Sequence, residues 1–115
     1  MLIINGSTQQ QNSTKRQKSS YFTRLELTQI LNVYSTRVAA GEWRDYALDH
    51  LDGMAFFSIY RSSHEMPLYT IEKKRLKGKD RWMYILRDRR QTLRQAAQIK
   101  DILTYLNKLP RLVNN

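Results

Sequence analysis

The sequence predicts an α+β domain: a helix, an antiparallel meander of four to five strands and a second helix, with both helices on one face of the sheet and a disordered tail ahead of them. Three observations predict it. A start signal, a 3.6-residue apolar period and a stop signal follow one another over residues 23–41. Residues 45–87 then alternate with a period of two, broken by turn residues, and from residue 96 the helical period returns.

The first helix is expected at about residues 24–40. Thr23-Arg24-Leu25-Glu26 has the form of a capping box, in which the Thr23 hydroxyl accepts from the Glu26 amide while the Glu26 carboxylate reaches back. Phe22 and Leu27 are spaced as the matching hydrophobic staple. Leu27, Ile30, Leu31, Tyr34 and Val38 share one helical face, and Gly41 suits the left-handed position after the last turn.

Two strands follow around Asp52-Gly53, a two-residue turn in which both positions favour positive φ. Pairing across it sets Leu48 opposite Phe57, Tyr46 opposite Ile59 and His50 opposite Ala55. Phe57 then faces the core, and Phe56 faces the other way with Met54 and Tyr60. Residues 68–74 make a third strand, Lys77-Gly78-Lys79-Asp80 a loop, and residues 81–87 a fourth strand. Asp88-Arg89-Arg90 turns the chain into a short extended piece at 91–93. Ala96, Ile99, Leu103 and Leu106 then line a closing helix at about 94–108, ended by Pro110.

At 115 residues the chain holds one domain, expected at 21–113, and no internal repeat is visible. Residues 1–20 read as a flexible tail: from Gly6 to Ser20 there is no apolar residue, but Lys15, Arg16 and Lys18 would let it order on a polyanion. The absence of cysteine excludes disulfides, thiolate nucleophiles and cysteine metal sites. No apolar run is long enough to span a bilayer, and Leu2-Ile3-Ile4 is too short for a signal-peptide core, so no membrane partner and a cytosolic location are expected.

The run Val38-Ala39-Ala40-Gly41-Glu42-Trp43-Arg44-Asp45-Tyr46-Ala47-Leu48-Asp49-His50, with Phe57-Ser58-Ile59-Tyr60-Arg61 and Glu65-Met66-Pro67-Leu68-Tyr69-Thr70-Ile71-Glu72-Lys73 after it, resembles a family of small alphaproteobacterial proteins catalogued as domain of unknown function 2794. The resemblance covers about residues 22–112, and its most specific stretch is Ala-Ala-Gly-Glu-Trp-Arg-Asp-Tyr. It implies a bacterial cytosolic single-domain protein, with no activity or site residues attached.

Function must therefore be read from charge. The net charge is +10, and residues 54–95 alone carry +7. That excess lies in Lys73, Lys74, Arg75, Lys77, Lys79 and Arg81 and in Arg87, Arg89, Arg90 and Arg94, two clusters at opposite ends of the fourth strand, about 20 Å apart. Such clusters could follow successive phosphates of a nucleic acid, RNA above all, as a non-catalytic binding module. Charged turns also simply keep sheet edges soluble. The alternative function is an adaptor or regulator that meets an acidic protein through an apolar surface of Met54, Phe56 and Tyr60, with Trp43 as an anchor. A homodimer through that face is a further option.

The aromatics Trp82, Tyr84 and Tyr69 suit stacking on bases, but they suit core packing under the helices better. Asp49, His50, Asp52, His64 and Glu65 form the one conceivable metal or acid–base cluster. Adjacent Asp49 and His50 point to opposite faces of a strand, however, so no metal site is expected. The four glycines are scattered and cradle no phosphate, and no serine sits in a nucleophile elbow. Neither an enzyme nor a cofactor is expected.

Overall fold

The computed structural model describes residues 21–62, 64–78 and 80–110. The expected tail at 1–20 and the Lys79 side chain lie outside these. In chain order the elements are α1 (Arg24–Ala39), β1 (Asp45–Leu51), β2 (Met54–Tyr60), β3 (Tyr69–Arg75), β4 (Trp82–Arg87), β5 (Thr92–Ala96) and α2 (Ile99–Lys108). The strands form a single antiparallel sheet in the order β1-β2-β3-β4-β5, each paired with its neighbour in sequence.

The capping box forms in full at the start of α1: Glu26 N donates to Thr23 Oγ1 at 3.0 Å and Thr23 N donates to Glu26 Oε1 at 2.8 Å. Such a cap contributes about 1 kcal/mol by satisfying amides that the first turn leaves open. The helix stops where expected. Gly41 has φ +80, a conformation that costs any residue with a Cβ, and its N–H donates to Val38 O at 2.9 Å. Val38, expected on the buried face, is exposed, and Arg37 is buried in its place. The reason is an ion pair that apolar periodicity does not register: Arg37 donates to Glu42 at 2.8 Å and to carbonyls at the C-terminus of α2.

The first hairpin follows the expected register residue for residue, with Leu48↔Phe57, Tyr46↔Ile59 and His50↔Ala55. Its turn has φ 54 at Asp52 and φ 77 at Gly53, both positive as a type I′ turn requires. The last third of the chain differs from expectation. Residues 94–96 belong to β5 and not to the closing helix, and Ala96 pairs with Tyr84. β4 would otherwise present a row of open N–H and C=O groups, and satisfying them outweighs the helix propensity of Arg94, Gln95 and Ala96.

Both helices lie on one face of the sheet. Between helices and sheet sits the core: Ile30 and Tyr34 of α1, Phe57, Ile59, Ile71, Tyr84 and Leu86 of the strands, and Ile99, Ile102, Leu103 and Leu106 of α2. Each fully buried large aliphatic or aromatic side chain there contributes about 1.5–3 kcal/mol. Trp43, just after α1, is 1 % exposed and plugs the seam, with its ring 5.9 Å from Tyr34 and 6.1 Å from Tyr69. It is therefore a core residue and offers no anchor to a partner.

A second sheet face with basic margins

Strand alternation divides the sheet residues into two sets. Ala55, Phe57 and Ile59 of β2, Ile71 and Lys73 of β3, and Tyr84 and Leu86 of β4 face the helices. Met54, Phe56, Ser58 and Tyr60, then Thr70, Glu72 and Lys74, then Met83, Ile85 and Arg87 face the opposite way. Among the described residues no element covers that second face. Cross-strand register builds it in rows: Asp49, Phe56, Glu72, Ile85 and Gln95 form one, and Ala47, Ser58, Thr70, Arg87 and Thr92 the next.

The face is mixed: apolar side chains of β2 and β4 flank Thr70, Glu72 and Lys74 on the central strand β3. Phe56, Met54, Tyr60 and Met83 are half-buried, and Ile85 is buried. Glu72 is buried too and accepts from Arg87 Nε at 3.2 Å, while Arg87 Nη1 donates to Thr92 Oγ1 at 2.8 Å. Asp45 and Asp49 mark the β1 side, whereas Lys74 and Arg87 mark the β3–β4 side. Met83 and Ile85 were not singled out from the sequence. Their alternation with Trp82 and Tyr84 was a usable signal, since those two aromatics suited the core.

The nine described basic residues of the two clusters fall in several environments. Lys73 points inward, where its Nζ donates to Glu26 Oε1 and to the Tyr21 carbonyl, each at 2.8 Å, and lies 5.2 Å from the Trp82 ring centroid. It cannot reach a phosphate. Arg75 faces the helix side and pairs with Asp80. Arg94 lies over the Tyr105 ring of α2 at 5.7 Å. Arg89 fastens the β4–β5 turn to the loop before β3 through Met66 O at 2.8 Å, Pro67 O at 3.2 Å and Glu65 at 3.3 Å. Asp88 Oδ1 shapes that turn by accepting from the Arg90 and Gln91 amides, which holds its carboxyl below the ordinary range. The side chains of Lys74, Lys77, Arg81 and Arg90 make no hydrogen bond or ion pair to a described residue. Phosphate tracking calls for one contiguous stripe, and the nine described residues of the two clusters divide between both sheet faces, the core and two turns.

Beneath the helices, Glu26 joins Lys73 to Tyr84, whose hydroxyl donates to Glu26 Oε2. Burial pushes the Glu26 carboxyl up, but the bonds from Lys73, Tyr84 and the Thr23 amide, with the Lys73 charge, prevail and hold it below its ordinary value. Burial and the Glu26 carboxylate both drive the Tyr84 hydroxyl upward. This trio braces the start of α1 against β3 and β4.

Of the one conceivable acid–base cluster, His50 stacks on Tyr21 with ring centroids 3.9 Å apart, and Glu65 pairs with Arg61 and Arg89. Among the described residues no three His, Asp or Glu side chains gather in metal-binding geometry, and no helix is long and apolar enough to cross a membrane.

No curated protein and no solved structure matches the chain. A family model described as "Protein of unknown function (DUF2794)" matches residues 20–103, from the residues before the capping box to the middle of α2. With all five strands, the whole of α1 and half of α2 inside that match, the chain belongs to the DUF2794 family.

Proposed function

We propose that this protein is a non-catalytic protein-binding module that takes an acidic, apolar-bearing segment of a partner on the sheet face turned away from its helices. The observation that carries the reading is the face itself: Phe56, Met54, Tyr60 and Met83 lie half-buried on a five-stranded platform that no described element covers. Charge selects the partner. Lys74 stands on this face, Lys77, Arg81 and Arg90 occupy the adjoining turns, and the chain carries +10 overall. An acidic segment would gain in on-rate from that field, while its apolar side chains would gain in affinity from Met54, Phe56 and Tyr60 of β2 and Met83 of β4.

The test is fluorescence anisotropy with three labelled probes: a peptide alternating Glu with Leu and Phe, a single-stranded RNA and a duplex DNA, each titrated across salt. Peptide binding that falls about tenfold in Phe56→Ala and survives moderate salt is expected. Suppose instead that RNA or DNA binds more tightly than the peptide, with a salt slope that flattens when Lys74, Lys77, Arg81 and Arg90 become Ala. That outcome would overturn the reading in favour of nucleic-acid binding.

A further inference from the structure

The two edges of the sheet are protected unequally. β5 is five residues long, its register with β4 shifts at Leu86/Arg87, and it carries the exposed Arg94. Shortness, irregularity and charge are the devices that keep an edge from pairing. β1 is seven residues long and keeps continuous register with β2. It contains no proline and no lysine, and no described residue pairs with its outer side. Tyr46 and Leu48 on its helix-side face are 37 % and 41 % exposed, and Leu51 is 62 % exposed.

The two-residue turn settles which main-chain groups are open. Leu51↔Met54 closes the hairpin as a hydrogen-bonded pair, so the bonded pairs recur at Asp49↔Phe56 and Ala47↔Ser58. The N–H and C=O groups of Tyr46, Leu48 and His50 therefore aim outward. The bonds around β2 agree: Tyr60 O accepts from Arg44 N on the β1 side at 2.9 Å, and Ile59 O accepts from Leu68 N on the β3 side at 2.7 Å. The outward Tyr46 N–H is met by its neighbour's side chain, Asp45 Oδ1, at 3.0 Å.

We propose that β1 pairs antiparallel with β1 of a second copy of this chain, about a two-fold axis at Leu48, so that two five-stranded sheets continue into one. Antiparallel pairing sets residues of the same face opposite one another, so a long overlap needs the axis at Ala47, Leu48 or Asp49. An axis at Ala47 would set Asp45 against the second copy's Asp49. An axis at Asp49 would set Asp49 against itself. At Leu48 no like charges are opposed: Tyr46 meets the second copy's His50, Ala47 meets its Asp49, and Arg44 meets its Asp52 at both ends of the paired strands. Arg44 and Asp52 are both exposed. Leu48 and His50 supply four main-chain bonds to the second copy without displacing Asp45 from Tyr46. The pairing does not rest on the reading given under Proposed function, because it uses the sheet's edge and not that face.

Sedimentation velocity on the full chain tests this, with far-UV circular dichroism to confirm folding. A dimer is expected that weakens about tenfold or more in Leu48→Lys, which opposes two ammonium groups at the axis. Arg44→Asp, in the exposed segment before β1, is expected to weaken it several-fold by facing Asp52. The chain has no cysteine, so Ala47→Cys, Leu48→Cys and Asp49→Cys report the axis through a short thiol cross-linker. Fastest cross-linking at position 48 is expected. A monomeric wild type, a Leu48→Lys variant as dimeric as wild type, or faster cross-linking at 47 or 49 would each overturn the proposal.

Discussion

Lys73 lies on the helix-covered side of β3 and donates from Nζ to the Glu26 carboxylate of α1 at 2.8 Å, with the two side chains only 5 % and 12 % exposed. A residue that reads as part of a basic cluster is thus a brace between sheet and helix. Breaking a buried pair strands the remaining charge, and Lys73→Ala should cost about 3 kcal/mol. Lys73→Met combined with Glu26→Gln should cost distinctly less, because no charge is left unpaired. Urea denaturation of the single and double variants measures both.

The same trio sets a pH window for stability. The folded-state pKa of Glu26 lies below its ordinary 4.5, so its contribution is present above that value and is lost as pH falls through the depressed pKa. Tyr84 is raised from its ordinary 10.0, so its contribution is present below that value and is lost as pH rises through the raised pKa. Glu26→Gln should flatten the acid limb of a stability–pH profile, and Tyr84→Phe the alkaline limb, both followed by thermal unfolding.

Arg37 closes the other end of α1. Its guanidinium is shared between Glu42 at 2.8 Å and the Leu109 carbonyl at 2.9 Å, and it lies 5.3 Å from the Trp43 ring centroid. Arg37→Ala should destabilise by about 3–5 kcal/mol, and Arg37→Lys should recover only part of that, because an ammonium cannot serve this fork of acceptors. Chemical denaturation with near-UV circular dichroism of Trp43 follows the loss.

The β1–β2 turn depends on backbone conformation more than on contacts. A Cβ at Gly53 would meet nothing within 4 Å, yet φ there is +77. Gly53→Ala should therefore cost about 1 kcal/mol through strain alone. Asp52→Asn should leave stability unchanged within about 0.5 kcal/mol, since Asn tolerates the φ of 54 equally well. Denaturation midpoints compare the two.

Local signals carried most of the architecture. The Thr23–Glu26 cap, Gly41 and Asp52-Gly53 each act within a few residues of their own position, and once the turn is set, period-two alternation propagates the β1–β2 register without further information. Alternation also separates Phe56, Met54 and Tyr60 from the core face, which is why part of the candidate site was legible before any fold was known. Other features depend on partners far along the chain. Whether residues 94–96 continue a helix or join a sheet depends on the open edge of β4. Whether Arg37 or Val38 turns inward depends on Glu42 and the carbonyls ending α2. Whether Lys73 serves a ligand or the core depends on Glu26, 47 residues away. Electrostatic pairing inside a low-dielectric core can bury a charge that hydropathy assigns to solvent, and only the tertiary structure brings the compensating group within reach.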